Sequence, residues 1–555
     1  MDQKYVLGVD FGSLSARAVL FDVRDGAYID SVESLYEHGI IDQYHPVSNA
    51  PLPPASALQM PGDFSDSLEQ SVRGVLQKTG IRGEDIVAMS VDATSCSLMA
   101  LDENYRPMCE QERFKNSRHA YVKMWKQHTA AKEAELITAL AGEEGERFGG
   151  KLMSEWGIPK ILETLHEDPE LYDATYRFME MGDWVIYLLT GVECMSYCSA
   201  GLKFMWTPEK GYPSPDFFAT LDERFRDVEK KLVPAEKIVP MDCCIGAITK
   251  EAAARTGLRE GTPVAPMRID GHSSVVAVGC HLPGRMDMIL GTSMGLELQD
   301  PGYHPFPGIS GACYGAMAPK LYAYESGLSG CGDIFQWFAD QCVPAEVEQA
   351  AAAEGKGVLA YLSEKMVDQK PGQSGLIALD WWNGNRAILS DERLTGMIMG
   401  MTLQTRPEEM LRAIFEATGY GARMVVEEFG KNQMPVKEIV AVGGIAEKNA
   451  ILIQMYADII GCDIIVSDVK QACALGTAIY AAVAAGRAGG GYDTIEEAVE
   501  AMGALGGRRF TPDPENHRLY DRLFEIYRVL HDVFGRGGMP VMKELLDIKA
   551  EMNRA

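Results

Sequence analysis

Two short turns combine glycine with hydroxyl residues. The first, Gly12-Ser13-Leu14-Ser15, comes just after Asp10; the second is Gly291-Thr292-Ser293. Each follows an apolar run and leads into another, as a hairpin bend does. Such a bend can aim successive backbone N–H groups and hydroxyls at one anion. Glycine there lets the chain approach a ligand with no Cβ in the way. One such turn is most simply a hairpin, whereas two suit a polyphosphate held from both sides. Asp10 beside the first turn would repel phosphates unless Mg²⁺ lay between, and Mg²⁺ is usually held by one or two carboxylates plus waters and phosphate oxygens. A third acid, Asp270 in "APMRIDGHSSVVAVGC" (265–280), stands where a short strand gives way to a small-residue helix. It reads either as a plain helix cap or as a general base for a hydroxyl attacking phosphorus. His272 beside it reads as structural.

The second half adds "VAVGGIAEKNA" (440–450) and "ALGTA" (474–478). Gly443-Gly444 at a strand end would let a flat ring lie on the backbone. Asn449 is an N-cap or an adenine contact. Gly476 marks a close approach or tight helix packing. Neither GxxxxGK(S/T) nor GxGxxG occurs in these stretches, so a nucleotide site here is of another type.

Positioning these residues requires alternating strands and helices. Strands are predicted at 5–10, 16–22, 86–92, 97–101, 287–291, 376–379, 439–443 and 463–466. Helical spacing marks 66–79, 120–140 and 408–429. Residues 43–62 are proline-rich and read as a surface loop, and 486–491 loosens the chain before a final helical stretch, 514–535. An internal echo organises these elements. "VLGVDFGSLSA" (6–16) resembles "MDMILGTSMGL" (286–296), and "DIVAMSVDATS" (85–95) resembles "EIVAVGGIAEK" (438–448). The echo predicts two copies of one α/β unit whose turns face a shared cleft. At 555 residues two large domains are expected, here 1–283 and 284–555.

A net charge of −27 argues against nucleic acid or an anionic membrane as partner. No signal pattern or spanning apolar run is apparent, and the twelve cysteines are scattered without zinc spacing, as in a reducing cytoplasm.

Longer strings resemble the FGGY carbohydrate kinases over nearly the whole chain. "SEWGIPKILETLHE" (154–167) is similar to that family's first signature and "GMIMGMTLQTRPEEMLRAIFE" (396–416) to its second. "MWKQHTAAKEAELIT" (124–138), "SAGLKFMW" (199–206), "DIFQWF" (333–338) and "ALDWWNGNR" (378–386) resemble the branch that acts on L-ribulose. Gly201-Leu202-Lys203 and "DATSCS" (92–97) depart from it in detail. The resemblance implies two actin-like, ribonuclease-H-like domains related by duplication, with the active site in the cleft between them. It also implies ATP- and Mg²⁺-dependent phosphorylation of L-ribulose at its 5-hydroxyl. Another pentulose or polyol, such as xylulose or ribitol, is the alternative substrate, and an actin- or Hsp70-like ATPase is the rival of another class. A homodimer is the family expectation. By the same resemblance the sugar contacts are Ser95, Lys203, Asp270 and Glu325, with Asp270 as base. The ATP contacts are Gly12, Ser13, Ser15, Gly291, Thr292, Ser293, Gly443, Gly444 and Asn449, and Asp10 and Asp270 face the metal. Taken singly, Lys203 reads equally as a solvated lysine, Glu325 as an outward strand residue, and Trp125 and Trp381-Trp382 as core aromatics.

Overall fold

The computed structural model describes residues 4–553 and builds them around two mixed sheets. The first sheet centres on β1 (Tyr5–Phe11), β2 (Ser15–Asp22), β3 (Tyr28–Leu35) and β4 (Ile86–Ala93), in the order β4-β1-β2-β3. The second centres on β5 (Arg285–Leu290), β6 (Met294–Asp300), β7 (Tyr322–Leu328), β8 (Glu438–Val442) and β9 (Ile464–Val466), in the order β7-β6-β5-β8-β9. β1 pairs antiparallel with β2 and parallel with β4; β5 pairs antiparallel with β6 and parallel with β8. The echo in the sequence is therefore an echo in topology, and each glycine-hydroxyl turn is the hairpin bend of its own copy.

Chemistry gathers at the carboxyl ends of the parallel strands, where open α/β sheets bind ligands. β1 brings Asp10 opposite Asp92 of β4. A short strand, Arg268–Ile269, joins β4 at the same level and delivers Asp270 as the first residue of a helix.

Helices cover the sheets: α1 (Pro61–Thr79), α2 (Gly157–Glu167), α3 (Tyr197–Lys203), α4 (Asp270–Ala277), α5 (Pro407–Lys431), α6 (Ala450–Ile460), α7 (Ala472–Ala485) and α8 (Pro514–Gly535). α7 departs from a simple division at 283. Although it lies in the second half of the sequence, it packs on β1, β4 and α4 of the first half. Its Ala474, Leu475 and Ile479 share a core with Val6, Val87, Val275 and Val276. The contact is close: a Cβ on Gly8 would lie 2.2 Å from the Ala474 carbonyl oxygen, so only glycine fits there.

Two predicted elements differ. Helical spacing over 120–140 gives a helix only at Ala131–Leu140, because Val122–Lys123 is drawn into a small sheet with Leu58–Gln59 and Leu98–Leu101. Lys123, fully buried, donates to Glu163, Thr164 and the Lys160 carbonyl, and these tertiary bonds override the local helical pattern. The loop at 43–62 ends earlier than expected, since Pro61 opens α1 with its ring in the first turn, where no N–H is needed. No helix of the described residues is long and apolar enough to cross a membrane.

Candidate active site

Two cavities meet at the second glycine-hydroxyl turn. The smaller, about 340 Å³, lies between the sheets and is lined by Gly12, Ser13, Thr94, Ser95, Trp125, Glu155, Trp156, Lys203, Asp270, His272, Gly291, Thr292, Ser293, Glu297, Glu325 and Arg386. The larger, about 980 Å³, belongs to the second sheet and is walled by Phe335, Trp337, Phe415, Gly444, Ile445 and Asn449. Gly291 and Thr292 line both. A polyphosphate lying across that turn would have its base end in the larger, apolar cavity and its reacting end in the smaller, polar one.

The first turn is fixed from several sides. The Gly12 N–H donates to the Ser15 carbonyl (2.9 Å), and the Tyr36 hydroxyl donates to the Gly12 carbonyl (2.9 Å). Gln59 donates to the Ser13 carbonyl (3.0 Å), and the Trp125 indole N–H donates to the Ser13 hydroxyl (3.0 Å). Trp125, half-buried, is thus part of the cavity wall and not of the core. The Ser15 hydroxyl donates to Glu33 (2.6 Å) on the neighbouring strand and does not line the cavity. Gly443 has a φ of 102°, and a Cβ on it would lie 2.4 Å from the Leu290 carbonyl oxygen, so glycine is required there, while Gly444 next to it lines the larger cavity. Asn449 caps α6 through the Leu452 N–H (3.0 Å) and also lines that cavity.

Asp270 is not a side-chain cap. It is the first helical residue of α4, with Ile269 in the cap position, and its Oδ1 accepts from the Gly271 N–H (2.7 Å). Burial first, then the charge of Asp10, pushes its carboxyl up to about 7, while the Gly271 bond pulls the other way. A carboxyl that titrates near neutral is suited to proton transfer.

Asp92 escaped the motif reading. It is fully buried opposite Asp10, with its Oδ2 accepting from the Thr477 hydroxyl of α7 (2.6 Å) and its Oδ1 lacking a hydrogen-bond partner. Burial raises both carboxyls, Asp92 the further of the two because Asp10 lies beside it. The signal was present in "IVAMSVDATS": an acid at the end of a strand that is apolar but for Ser90.

The sugar-sized part of the cavity is built around one ion pair. Lys203, the last residue of α3, donates to Glu325 of β7 at 2.6 Å, joining the two halves of the molecule. Lys203 is 3% exposed, and its charge holds Glu325 down at about 2 against the opposing pull of burial. His272 is neutral, pushed down to about 4 by burial, and contacts Cys198 Sγ through Nδ1 (3.2 Å). Ser95 sits in a turn held by the buried Lys160 ammonium, which donates to the carbonyls of Cys96 (2.7 Å) and Met124 (2.8 Å). Removing one member of a buried pair strands the other, a cost of about 3–5 kcal/mol. Lys203→Met is therefore expected to lower the melting temperature, and the double variant Lys203→Met, Glu325→Leu should recover much of the stability; thermal melts check both.

Asp10 and Asp270 fit a Mg²⁺ that arrives with phosphates. Among the described residues, the one group of three candidate ligands within 4.8 Å of one another is His128, Glu155 and Glu392, so the phosphate site by itself offers no complete cage. One or two carboxylates, with phosphate oxygens and water completing the shell, is the usual arrangement for this ion.

The family models for FGGY carbohydrate kinases match in two parts, the N-terminal domain over residues 5–277 and the C-terminal domain over residues 286–485. The chain belongs to the FGGY family of carbohydrate kinases. It is accordingly a sugar kinase, with ATP as phosphoryl donor. A ribulokinase of Geobacillus thermodenitrificans is 43% identical over 550 residues, covering 98% of this chain and 97% of that one. A ribulokinase of Halalkalibacterium halodurans is 40% identical, covering 100% and 99%. Among solved structures, gluconate kinase from Lactobacillus acidophilus superposes with a TM-score of 0.79 at 19% identity, covering 97% and 99%. Xylulose kinase from Rhodospirillum rubrum gives 0.78 at 20%, covering 96% and 99%. At those identities the superpositions speak for the fold alone.

Proposed function

We propose that this FGGY kinase transfers the γ-phosphoryl group of ATP to the 5-hydroxyl of L-ribulose, yielding L-ribulose 5-phosphate in arabinose breakdown in the cytoplasm. The observation that carries the reading is 40–43% identity to ribulokinases across almost the full length of both chains. The site's chemistry agrees with it. The N–H groups and hydroxyls of Ser13, Thr292 and Ser293 hold the phosphates, Gly12 and Gly291 closing the two bends with their own N–H groups, and the larger cavity takes the adenosine against Gly444 and Asn449. Lys203, Glu325 and Ser95 orient the sugar so that one hydroxyl faces Asp270. Asp270 takes the proton as the new O–P bond forms. Mg²⁺, when bound with Asp10 and Asp270 beside the phosphates, supplies positive charge to their oxygens. A positioned base accounts for about 10²–10⁴-fold, so most of the acceleration comes from alignment and charge neutralisation. Closing the cleft keeps water from competing with the sugar for the phosphoryl group.

ADP release measured with L-ribulose, D-ribulose, both xyluloses, ribitol and glycerol tests this. L-ribulose is expected to give the highest kcat/KM, with a 5-phosphorylated product. Preference for another substrate moves the reading to that member of the family. ATP turnover that does not respond to any sugar would overturn it in favour of an actin- or Hsp70-like ATPase.

A further inference from the structure

β6 places Glu297 directly opposite Asp287 of β5 on one side and Glu325 of β7 on the other. Directly opposed residues project from the same face of a sheet, so three acids form a row across it. Two of them have partners: Asp287 accepts from the Ser274 hydroxyl (2.6 Å), and Glu325 holds Lys203. Glu297 differs. It is 3% exposed, it lines the smaller cavity, and its Oε2 has no hydrogen-bond partner. Its nearest basic neighbour, His272 Nε2, stands 3.9 Å from Oε1, beyond hydrogen-bond reach.

Buried polar groups are almost always bonded, and an apolar side chain here would be less costly to fold. A carboxyl between two other acids gains nothing from its strand neighbours, since like charges directly opposite repel. What the position offers is a polar oxygen facing the space beside the Lys203–Glu325 pair. We propose that Glu297 is a specificity-determining residue, hydrogen-bonding a hydroxyl of the sugar other than the one that receives the phosphate. This rests on the ketopentose-kinase reading above and adds to it the group that reads the rest of the polyhydroxyl chain. The hydroxyl transferred is excluded because Asp270 takes that proton. Burial, with Glu325 opposite, also pushes the Glu297 carboxyl well above the ordinary range.

The test compares Glu297→Leu, Glu297→Gln and Glu297→Asp on the substrate that the wild-type enzyme phosphorylates best, and on analogues of it lacking one hydroxyl each. Losing a hydrogen bond to a buried partner is worth about 10–100-fold. Glu297→Leu is expected to lower kcat/KM for the sugar by that factor with the ATP KM within about twofold, whereas Glu297→Gln, which keeps both an acceptor and a donor, stays within about fivefold. One deoxy analogue is expected to be turned over equally by wild type and Glu297→Leu. If Glu297→Leu fails to fold, Glu297→Asp decides: its carboxyl, drawn back by one methylene, is expected to lose about tenfold on the sugar and nothing on that analogue. Unchanged sugar kinetics, or the same loss on every analogue, overturns the inference. Should wild type prefer a polyol over every ketopentose, the ketopentose reading fails, yet the inference is still decided on that polyol. Should it phosphorylate neither class, both fail.

Discussion

Replacing Asp270 with asparagine is expected to lower kcat by about 10²–10⁴-fold while nucleotide binding persists. Asparagine keeps the size and the acceptor that meets the Gly271 N–H, but it cannot take a proton. The expected result is therefore a folded protein that binds ATP and the sugar with near-normal affinity and transfers little phosphate. Single-turnover rates and calorimetric titration with ATP separate the two effects, and near-normal turnover would remove Asp270 from the mechanism.

The same substitution has a second consequence, of opposite sign, in stability. In the folded chain the Asp270 carboxyl is pushed from an ordinary 3.8 up to about 7, first by burial and then by Asp10. Between those values the folded state holds a proton that the unfolded state has released, so stability falls as pH rises from about 4 to about 7. The full difference is on the order of 4 kcal/mol above pH 7, at 1.36 kcal/mol for each tenfold change in proton affinity. Asparagine carries no charge to bury. Without nucleotide or metal, Asp270→Asn is expected to melt higher than wild type at pH 8 and no higher at pH 4. A base that costs stability at working pH is retained for chemistry, so equal melting temperatures at pH 8 would argue that Asp270 is ordinary helix structure.

What could be read in the sequence followed from local rules. The two glycine-hydroxyl turns, the strands leading to them and the acid at 270 each carry a short-range pattern of apolar run, turn and small residue. The echo between 6–16 and 286–296 gave the duplication because both copies need the same hairpin. Strand β3 was missed, and β6 and β7 were read only in part, as the apolar return after the second turn and as a strand-like alternation around Glu325. In β3 most residues are only half-buried, so the alternation is faint; β6 and β7 carry Glu297 and Glu325 at positions that face a cavity. A carboxylate that faces a buried cavity looks, in sequence, like one that faces solvent. Glu155, Glu297 and Arg386 became visible only once the halves were brought together around the smaller cavity. Tertiary partners more than a hundred residues away, such as Thr477 for Asp92 and Glu325 for Lys203, are beyond any local pattern.

Gly476→Ala is expected to be the most damaging one-carbon change outside the cavity. The glycine sits inside α7 where that helix crosses α4, and a Cβ built on it would lie 1.7 Å from the carbonyl oxygen of Ser273. The obstacle is backbone, so no side chain can swing aside. Relief requires α4 to move by more than about 1 Å, since carbon and oxygen need roughly 3.2 Å. α4 begins at Asp270, and the next residue of α7, Thr477, holds Asp92 opposite Asp10, so the displacement passes directly to the acids at the cleft. Misplacing a reacting group by about 1 Å costs on the order of 10²-fold, and forcing extra volume into a packed core costs about 1–3 kcal/mol or more. Gly476→Ala is thus expected to lose at least 10²-fold in kcat together with several degrees in melting temperature. Gly430→Ala is the control. It lies within α5 with nothing within 4 Å of the added carbon, and it is expected to keep full activity and gain about 0.5–1 kcal/mol, because alanine loses less backbone entropy in a helix than glycine does. Activity and melting temperature near wild type in Gly476→Ala would mean that α4 can shift without carrying Asp270, and the link from helix crossing to catalysis would be broken.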